Sequence, residues 1–319
     1  MIQRPRGTVD FIDEQFKQKQ DLERRFSDFF YKKNYIGIET PLFESKDLFV
    51  RTVGDQTDIV QKELFELEQK SDTKYALRPE ITASIIRALA ESGSLKTKPK
   101  PINVFSYGPC FRYEKPQKGR RRQFNQLDLE SIGRSDASSD EEFIVNVVEF
   151  IELISPKKIL LSISTFGSEE RKAEYAKDLT KYFADKKDSL CELCQKRIDK
   201  NPFRVLDCKN PDCKTICQDA PEISLNQEER ERFQNTVSNI EQRISPKGQT
   251  SIKIDKTMVR GLDYYTGIVF EFSLVDDETR SGSIGGGGRY DNLVGELSSI
   301  NLPAIGVGLG VERIIDAIE

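Results

Sequence analysis

The sequence predicts an α+β protein, an antiparallel β-sheet flanked by helices with a small helical domain inserted. Three observations carry this. The strand-like segments "INVFSYGPCFRYE" and "FNQLDLESIG" are joined by a Gly-containing basic loop, and a connection without a crossover makes a hairpin rather than a parallel pair. From about residue 165 to 250 the chain turns charged, helix-rich and cysteine-bearing. Strand-like sequence then resumes in "TMVRGLDYYTGIVFEFSL" and "PAIGVGLGVERIIDAIE". The expected division is 1–164 for the first part of the main domain, 165–250 for the insertion and 251–319 for the second part.

The elements follow in order. Phe16, Leu22, Phe26, Phe29 and Phe30 recur at roughly helical spacing and predict a helix with a core-facing stripe. In "YIGIETPLFE" Pro41 forbids a central ladder position, so this strand lies at an edge or ends there, where a second subunit could pair. "LFELEQKSDTKYALRPEITASIIRALAE" reads as two strands, a polar turn between them, and a helix, with "RPE" at the strand-to-helix junction. In the second hairpin strand Phe124, Gln126, Asp128 and Glu130 alternate with Asn125, Leu127 and Leu129. One face is therefore polar, and it lines either a pocket or solvent. Four consecutive glycines in "SGSIGGGGRYDNLVGEL" allow close approach of backbone to a ligand or a tight turn.

Composition limits the chemistry. At 319 residues the chain can bury a full core. Charged residues make up 32% and are mixed in sign, and no apolar run is long enough to span a membrane. With no signal peptide, the expectation is a soluble cytoplasmic protein. Histidine is absent altogether, which excludes a Ser/His/Asp triad, a Cys/His pair and His-ligated zinc. Six cysteines without a secretory signal point to reduced thiols. Cys191 and Cys194 form a CxxC, and Cys208 and Cys213 follow at a spacing near that of a zinc ribbon without matching it. Either they ligate a structural Zn²⁺ or they pack in a small core, with Cys217 as a spare. The net charge is −4, yet "KPQKGRRRQFNQ" carries five cationic side chains and no acid. That loop awaits an anion.

Together these segments resemble the histidyl-tRNA synthetases, a family of class II aminoacyl-tRNA synthetases, over nearly the whole chain. "IETPLFE" is similar to the first class motif, "FRYEKPQKGRRRQFNQLDLE" to the second and "GVGLGVERI" to the third. "RGLDYYTGIVFEF" and "GGRYDNL" resemble pieces particular to the histidine enzymes, and "TDIVQKELFELE" and "LRPEIT" fit as well. The resemblance implies a class II synthetase-like antiparallel sheet, a homodimer formed through the first motif, and an insertion that contacts tRNA. It also implies ATP and Mg²⁺, histidine and tRNA(His) as partners.

Residue by residue, the resemblance places Arg112 on the α-phosphate of ATP, Arg120 on the outer phosphates, Arg313 on the γ-phosphate and Phe124 against adenine. Guanidinium forks suit phosphate and keep their charge. Glu80, Thr82 and Gln126 would take the α-ammonium of histidine, and Glu130 and Tyr265 its imidazole, with Tyr264 beside them. Arg260 would stabilise charge as the carboxylate attacks phosphorus, a step that needs no protein base. "LRPEIT" departs at Ile81, where the family often has another residue. Glu319 follows closely on the third motif, where a complete synthetase continues into an anticodon-binding domain, so a catalytic fragment or a short paralogue is expected. The regulatory subunit of ATP phosphoribosyltransferase, a histidine sensor of similar fold, is the alternative. It would not need Arg112, Arg120, Arg260 and Arg313.

Overall fold

The computed structural model describes residues 2–54, 57–68, 73–117, 119–208, 210–244, 248–256, 258, 264–275 and 280–318. Helix α1 (Glu14–Lys32) buries Leu22, Phe26 and Phe30, one stripe at i, i+4 and i+8. Phe16 lies in its first turn, off that stripe, and stays exposed, contrary to the expectation that it joins the core. Pro41 divides the next segment into β1 (Ile36–Gly37) and β2 (Phe43–Ser45). Helix α2 (Lys46–Val53) and a π-helical turn (Ile59–Glu63) lead to β3 (Tyr75–Leu77), which pairs with β2. The strand expected before β3 is reduced to a bridge between Glu66 and Ala76. Helices α3 (Thr82–Glu91) and α4 (Ser94–Thr97) follow.

The predicted hairpin is present as β4 (Ile102–Phe111) and β5 (Gln123–Ile132), in register from Ile102–Ile132 to Phe111–Gln123. Beyond α5 (Ala137–Ile154) and β6 (Lys158–Thr165) the described chain runs through five α-helices. These are α6 (Glu169–Ala184), α7 (Glu192–Arg197), α8 (Phe203–Leu206), α9 (Pro211–Gln218) and α10 (Gln227–Ile244). It then returns as β7 (Thr250–Ile254), β8 (Ile268–Val275), β9 (Arg280–Arg289), α11 (Leu293–Leu297), β10 (Ala304–Gly310) and α12 (Val311–Ile318).

Among the described residues the main sheet has the order β1-β4-β5-β10-β9-β8-β6-β7. Its six central strands are antiparallel, but β1 on β4 and β7 on β6 pair in parallel at the two edges. The sheet is thus mixed, because both edge pairs are closed by long helical connections, as parallel pairing requires. One core lies under α1, α5, α10 and α12 and takes Leu127 and Leu129 from β5. A second lies under α3, α4 and α11. Strand β5 therefore separates its leucines from its polar residues onto opposite faces, as period-2 alternation demands.

The four glycines are neither a turn nor a free surface. They lie inside β9, where a Cβ on Gly285 would come within 2.4 Å of the Gly308 carbonyl oxygen. Their smallness serves close strand packing.

Candidate active site

The polar face of β5 is buried. Glu130 is fully enclosed and Asp128 is 2% exposed, so the solvated alternative falls away. Both side chains fit because β10 places Gly306 opposite Glu130 and Gly308 opposite Asp128. A Cβ at Gly306 would lie 1.7 Å from Glu130 Oε2 and one at Gly308 2.6 Å from Gln126 Nε2. Two absent methyls create the room.

Around this face the "RPE" junction closes. Arg78 is buried and donates to the carbonyls of Pro109 (2.9 Å) and Thr40 (3.1 Å), fastening the junction to β4 and to the segment before Pro41. Glu80 then sits at the N-terminus of α3 and accepts from the Ala83 amide at 2.9 Å. Thr82 Oγ1 donates to Glu130 Oε1 at 2.6 Å. Tyr290, which follows β9, donates its hydroxyl to Glu130 Oε2. Among the described residues, Glu80 Oε2 and Asp128 Oδ2 are buried without a hydrogen-bond partner, a costly arrangement unless a donor arrives.

Burial pushes the Glu80 carboxyl up and those of Asp128 and Glu130 well above the usual range. For Asp128 the charge of Glu80 adds to burial; for Glu130 the hydroxyls of Thr82 and Tyr290 partly offset it. Three buried carboxyls on one face favour a cationic ligand. The aromatic side is built by Tyr264 and Tyr265, with ring centroids 4.9 Å apart, and by Tyr290, 5.5 Å from Tyr264. Gly288 clears space for Tyr265, whose Cδ1 would be 2.8 Å from a Cβ there. Lys172 of α6 holds the Tyr265 carbonyl.

The arginines come from the hairpin loop and α12. Arg112 donates through Nε to the Pro79 carbonyl at 2.9 Å and lies 5.2 Å over the ring of Phe124. Arg120 pairs with Glu114 at 3.1 Å and Arg121 with Asp316 at 3.5 Å. Arg122 stacks 3.9 Å over Tyr113, and its backbone amide donates to the Gly7 carbonyl. Arg313 donates to the carbonyls of Gly119 and Ser283, both at 2.9 Å, which brings α12 against the loop. Glu312 fixes this helix to β5 by accepting from the Asn125 backbone and side chain. Burial and then the nearby charge of Glu114 raise the Glu63 carboxyl, while Arg112 and Arg120 pull it down.

Glu80, Thr82, Gln126, Glu130, Tyr264 and Tyr265 thus surround one buried face, with Arg112 and Phe124 next to it and Arg120 and Arg313 along the loop. Arg260 lies outside the described residues. Alternation puts Asp128 on this face between Gln126 and Glu130, although the family resemblance assigns it no role. Tyr290 carried no expected role either, although it lies in the "GGRYDNL" segment directly after the glycine strand. Apart from this site, the Sγ atoms of Cys191, Cys194, Cys208 and Cys213 all lie within 4.8 Å of one another.

Comparison with known proteins identifies the family. The family model described as histidyl-tRNA synthetase matches residues 7–314. A histidine–tRNA ligase of Desulfitobacterium hafniense is 39% identical over 318 residues, covering 99% of this chain and 73% of the relative. One from Mesoplasma florum is 42% identical over 318 residues, covering 99% and 67%. The structure of apo S. aureus histidyl-tRNA synthetase superposes with a TM-score of 0.76 at 30% identity, covering 99% of this chain and 73% of that one. A Bacillus halodurans structure described as an ATP phosphoribosyltransferase regulatory subunit/histidyl-tRNA synthetase shares the fold, with a TM-score of 0.69 at 22% identity, covering 100% and 84%. A buried acidic face beside an arginine-lined loop, on a sheet of this order, matched along nearly its full length: the chain belongs to the histidyl-tRNA synthetase family.

Proposed function

We propose that this chain activates histidine with ATP and passes it to the 3′ end of tRNA(His), as a histidine–tRNA ligase. The observation that carries the reading is the juxtaposition on β5: buried carboxyls with unused oxygens at one end, arginines at the other. An amino acid enters as a cation at its ammonium, and Glu80 and Asp128 offer acceptors for it. Glu130 and the tyrosines meet the imidazole, where polar contacts reject apolar competitors strongly because the wrong side chain leaves buried groups unpaired.

The histidine carboxylate then points toward Arg112. An oxygen of that carboxylate attacks the α-phosphorus, the bond to the β-phosphate oxygen breaks, and pyrophosphate leaves with its electron pair. Arg112 and Arg260 stabilise the charge on the α-phosphoryl oxygens, while Arg120 and Arg313 hold the outer phosphates. Phe124 supplies a ring for adenine. The carboxylate is already ionised at neutral pH, so the absence of histidine from the protein costs nothing. Mg²⁺ would neutralise phosphate charge, and the carboxylates of Glu63 and Glu114 beside the loop arginines are oxygen donors of the kind it takes.

The homodimer is assigned to the β1–β2 edge, supported by the exposure of Ile36, Leu42 and Phe43 there. A cytoplasmic setting is supported by the unpaired thiols. Among the described residues no helix is long and apolar enough to cross a membrane. The four clustered cysteines stand outside the activation chemistry, and a Zn²⁺ held there serves architecture.

The test is ATP–pyrophosphate exchange with each amino acid in turn. Exchange that depends on histidine alone is expected. Histidine binding without exchange would instead favour the sensor reading.

A further inference from the structure

We infer that Cys191, Cys194, Cys208 and Cys213 bind one Zn²⁺, and that this ion fixes a latch, Arg197 on Asp58, which holds the π-helical turn beside the active site. The four Sγ atoms all lie within 4.8 Å of one another. A tetrahedral tetrathiolate with Zn–S of about 2.3 Å sets its sulfurs about 3.8 Å apart, and Cys191 and Cys208 are 3.9 Å apart. No disulfide joins any of them. Four soft thiolates suit zinc or iron rather than a hard cation, and sulfurs this close together leave room for a single ion. Cys194 and Cys213 are fully buried, so the set faces inward. The backbone amide of Cys191 also donates to Cys213 Sγ at 3.3 Å, the outer contact that holds a ligand in place.

The local fold needs such a tie. The ligands sit on or beside α7, α8 and α9, helices of six, four and eight residues, too short to persist unaided. Their shared core draws on α6 through Tyr175, Leu179 and Phe183, and the cysteines fill it together with Leu190, Ile198 and Val205. Cys217 is excluded from the set by its own bond to the Val205 carbonyl at 3.3 Å.

The ion's reach extends to the catalytic face. Arg197 stands three residues after Cys194 on α7 and pairs with Asp58; Arg204 on α8 adds a weaker contact at 3.9 Å. Asp58 immediately precedes the turn Ile59–Glu63 and makes no side-chain cap bond to it; the Glu63 carbonyl of that turn accepts from the Tyr113 amide at 2.7 Å, next to Arg112. Zinc, α7, Arg197, Asp58 and the turn form one chain of contacts ending at the start of the arginine-bearing hairpin loop.

The experiment uses the whole chain, expressed with added zinc, purified in reducing buffer without chelator, and assayed for metal by mass spectrometry. One zinc per chain is expected, retained in Cys217→Ser and lost in Cys208→Ser and Cys213→Ser. Because those two variants can misfold, the wild type is also stripped with chelator and titrated with Co²⁺, which should give the visible bands of a tetrahedral tetrathiolate. Hydrogen exchange over residues 57–64 should speed several-fold on stripping, and equally in Arg197→Ala with its zinc content unchanged. A folded wild type that holds no zinc and takes up neither ZnCl₂ nor Co²⁺ overturns the site, as does a disulfide within the set. Unchanged exchange over 57–64 after stripping overturns the latch.

Discussion

The two halves of the proposed active site are built differently. The face proposed for histidine is carried by strand and helix termini, with Glu130 fully buried and gripped by Thr82 and Tyr290, and its space cut by Gly306. The face proposed for phosphate is carried by a loop. Arg120 is 39% exposed and Arg121 27% exposed at the side chain, each paired with a single carboxylate. Selecting one amino acid requires fixed donors and acceptors, since discrimination arises from leaving wrong partners unsatisfied. Gripping triphosphate requires charge more than shape, and a loop whose arginines can exchange their carboxylates for phosphate supplies it.

The largest expected effects test that division from both sides. Arg112→Ala should lower the exchange rate constant by about 10²–10³-fold, the cost of losing one charge-stabilising donor, with histidine affinity nearly intact. Glu130→Gln should act oppositely. Thr82 and Tyr290 already donate to both of its oxygens, so an amide nitrogen there meets a donor, and a charged hydrogen bond worth about 1.5–3 kcal/mol is lost. Histidine KM should rise while ATP KM holds. Measuring both constants for both variants checks this, and a mutation that weakens the two ligands equally dissolves the boundary between the faces.

A smaller effect concerns stability. The Asp128 carboxyl is pushed well above its ordinary range by burial and then by Glu80. Its folded pKa exceeds the unfolded value, so its contribution is fully present below about pH 4 and is lost as pH rises toward the folded pKa, at about 1.4 kcal/mol per unit of separation. Asp128→Asn should therefore leave Tm unchanged below about pH 4 and raise it progressively above, while weakening histidine. Calorimetric melts across that range decide it. A variant that melts below wild type at neutral pH would make Asp128 a structural residue.

This contrast also explains what could be read in the sequence. Period-2 alternation in "FNQLDLE" placed Gln126, Asp128 and Glu130 together, because a strand's geometry is written in its own residues. The hairpin was legible for the same reason. The parallel edges were not, since β1 on β4 and β7 on β6 are decided by where distant helices return the chain. Nor was Tyr290 on Glu130, a contact across 160 residues. Phe16 had the right residue type at the wrong angle on its helix. In the loop, composition announced an anion site, yet which arginine is free and which is structural depended on partners such as Gly7, Tyr113 and Asp316.

The smallest effects lie within that loop. Arg120 is the more exposed of the two paired arginines, and its partner Glu114 is nearly buried, at 15%. A phosphate that takes Arg120 leaves Glu114 beside Glu63, where a cation accompanying ATP can meet both. Arg121 instead reaches away to Asp316 on α12, itself 45% exposed, at 3.5 Å. Such a surface pair is worth about 0–1 kcal/mol and is screened by salt. Arg120→Ala should raise ATP KM on the order of tenfold, about 1.4 kcal/mol and near the lower bound for a charged hydrogen bond. Arg121→Ala should leave ATP KM within about twofold and stability within about 0.5 kcal/mol. Exchange kinetics at two salt concentrations, with denaturant melts of each variant, measure the difference. Equal losses from the two substitutions would mean that the triphosphate is read along the whole loop, and the arginine nearest α12 would then belong to the site rather than to the fold.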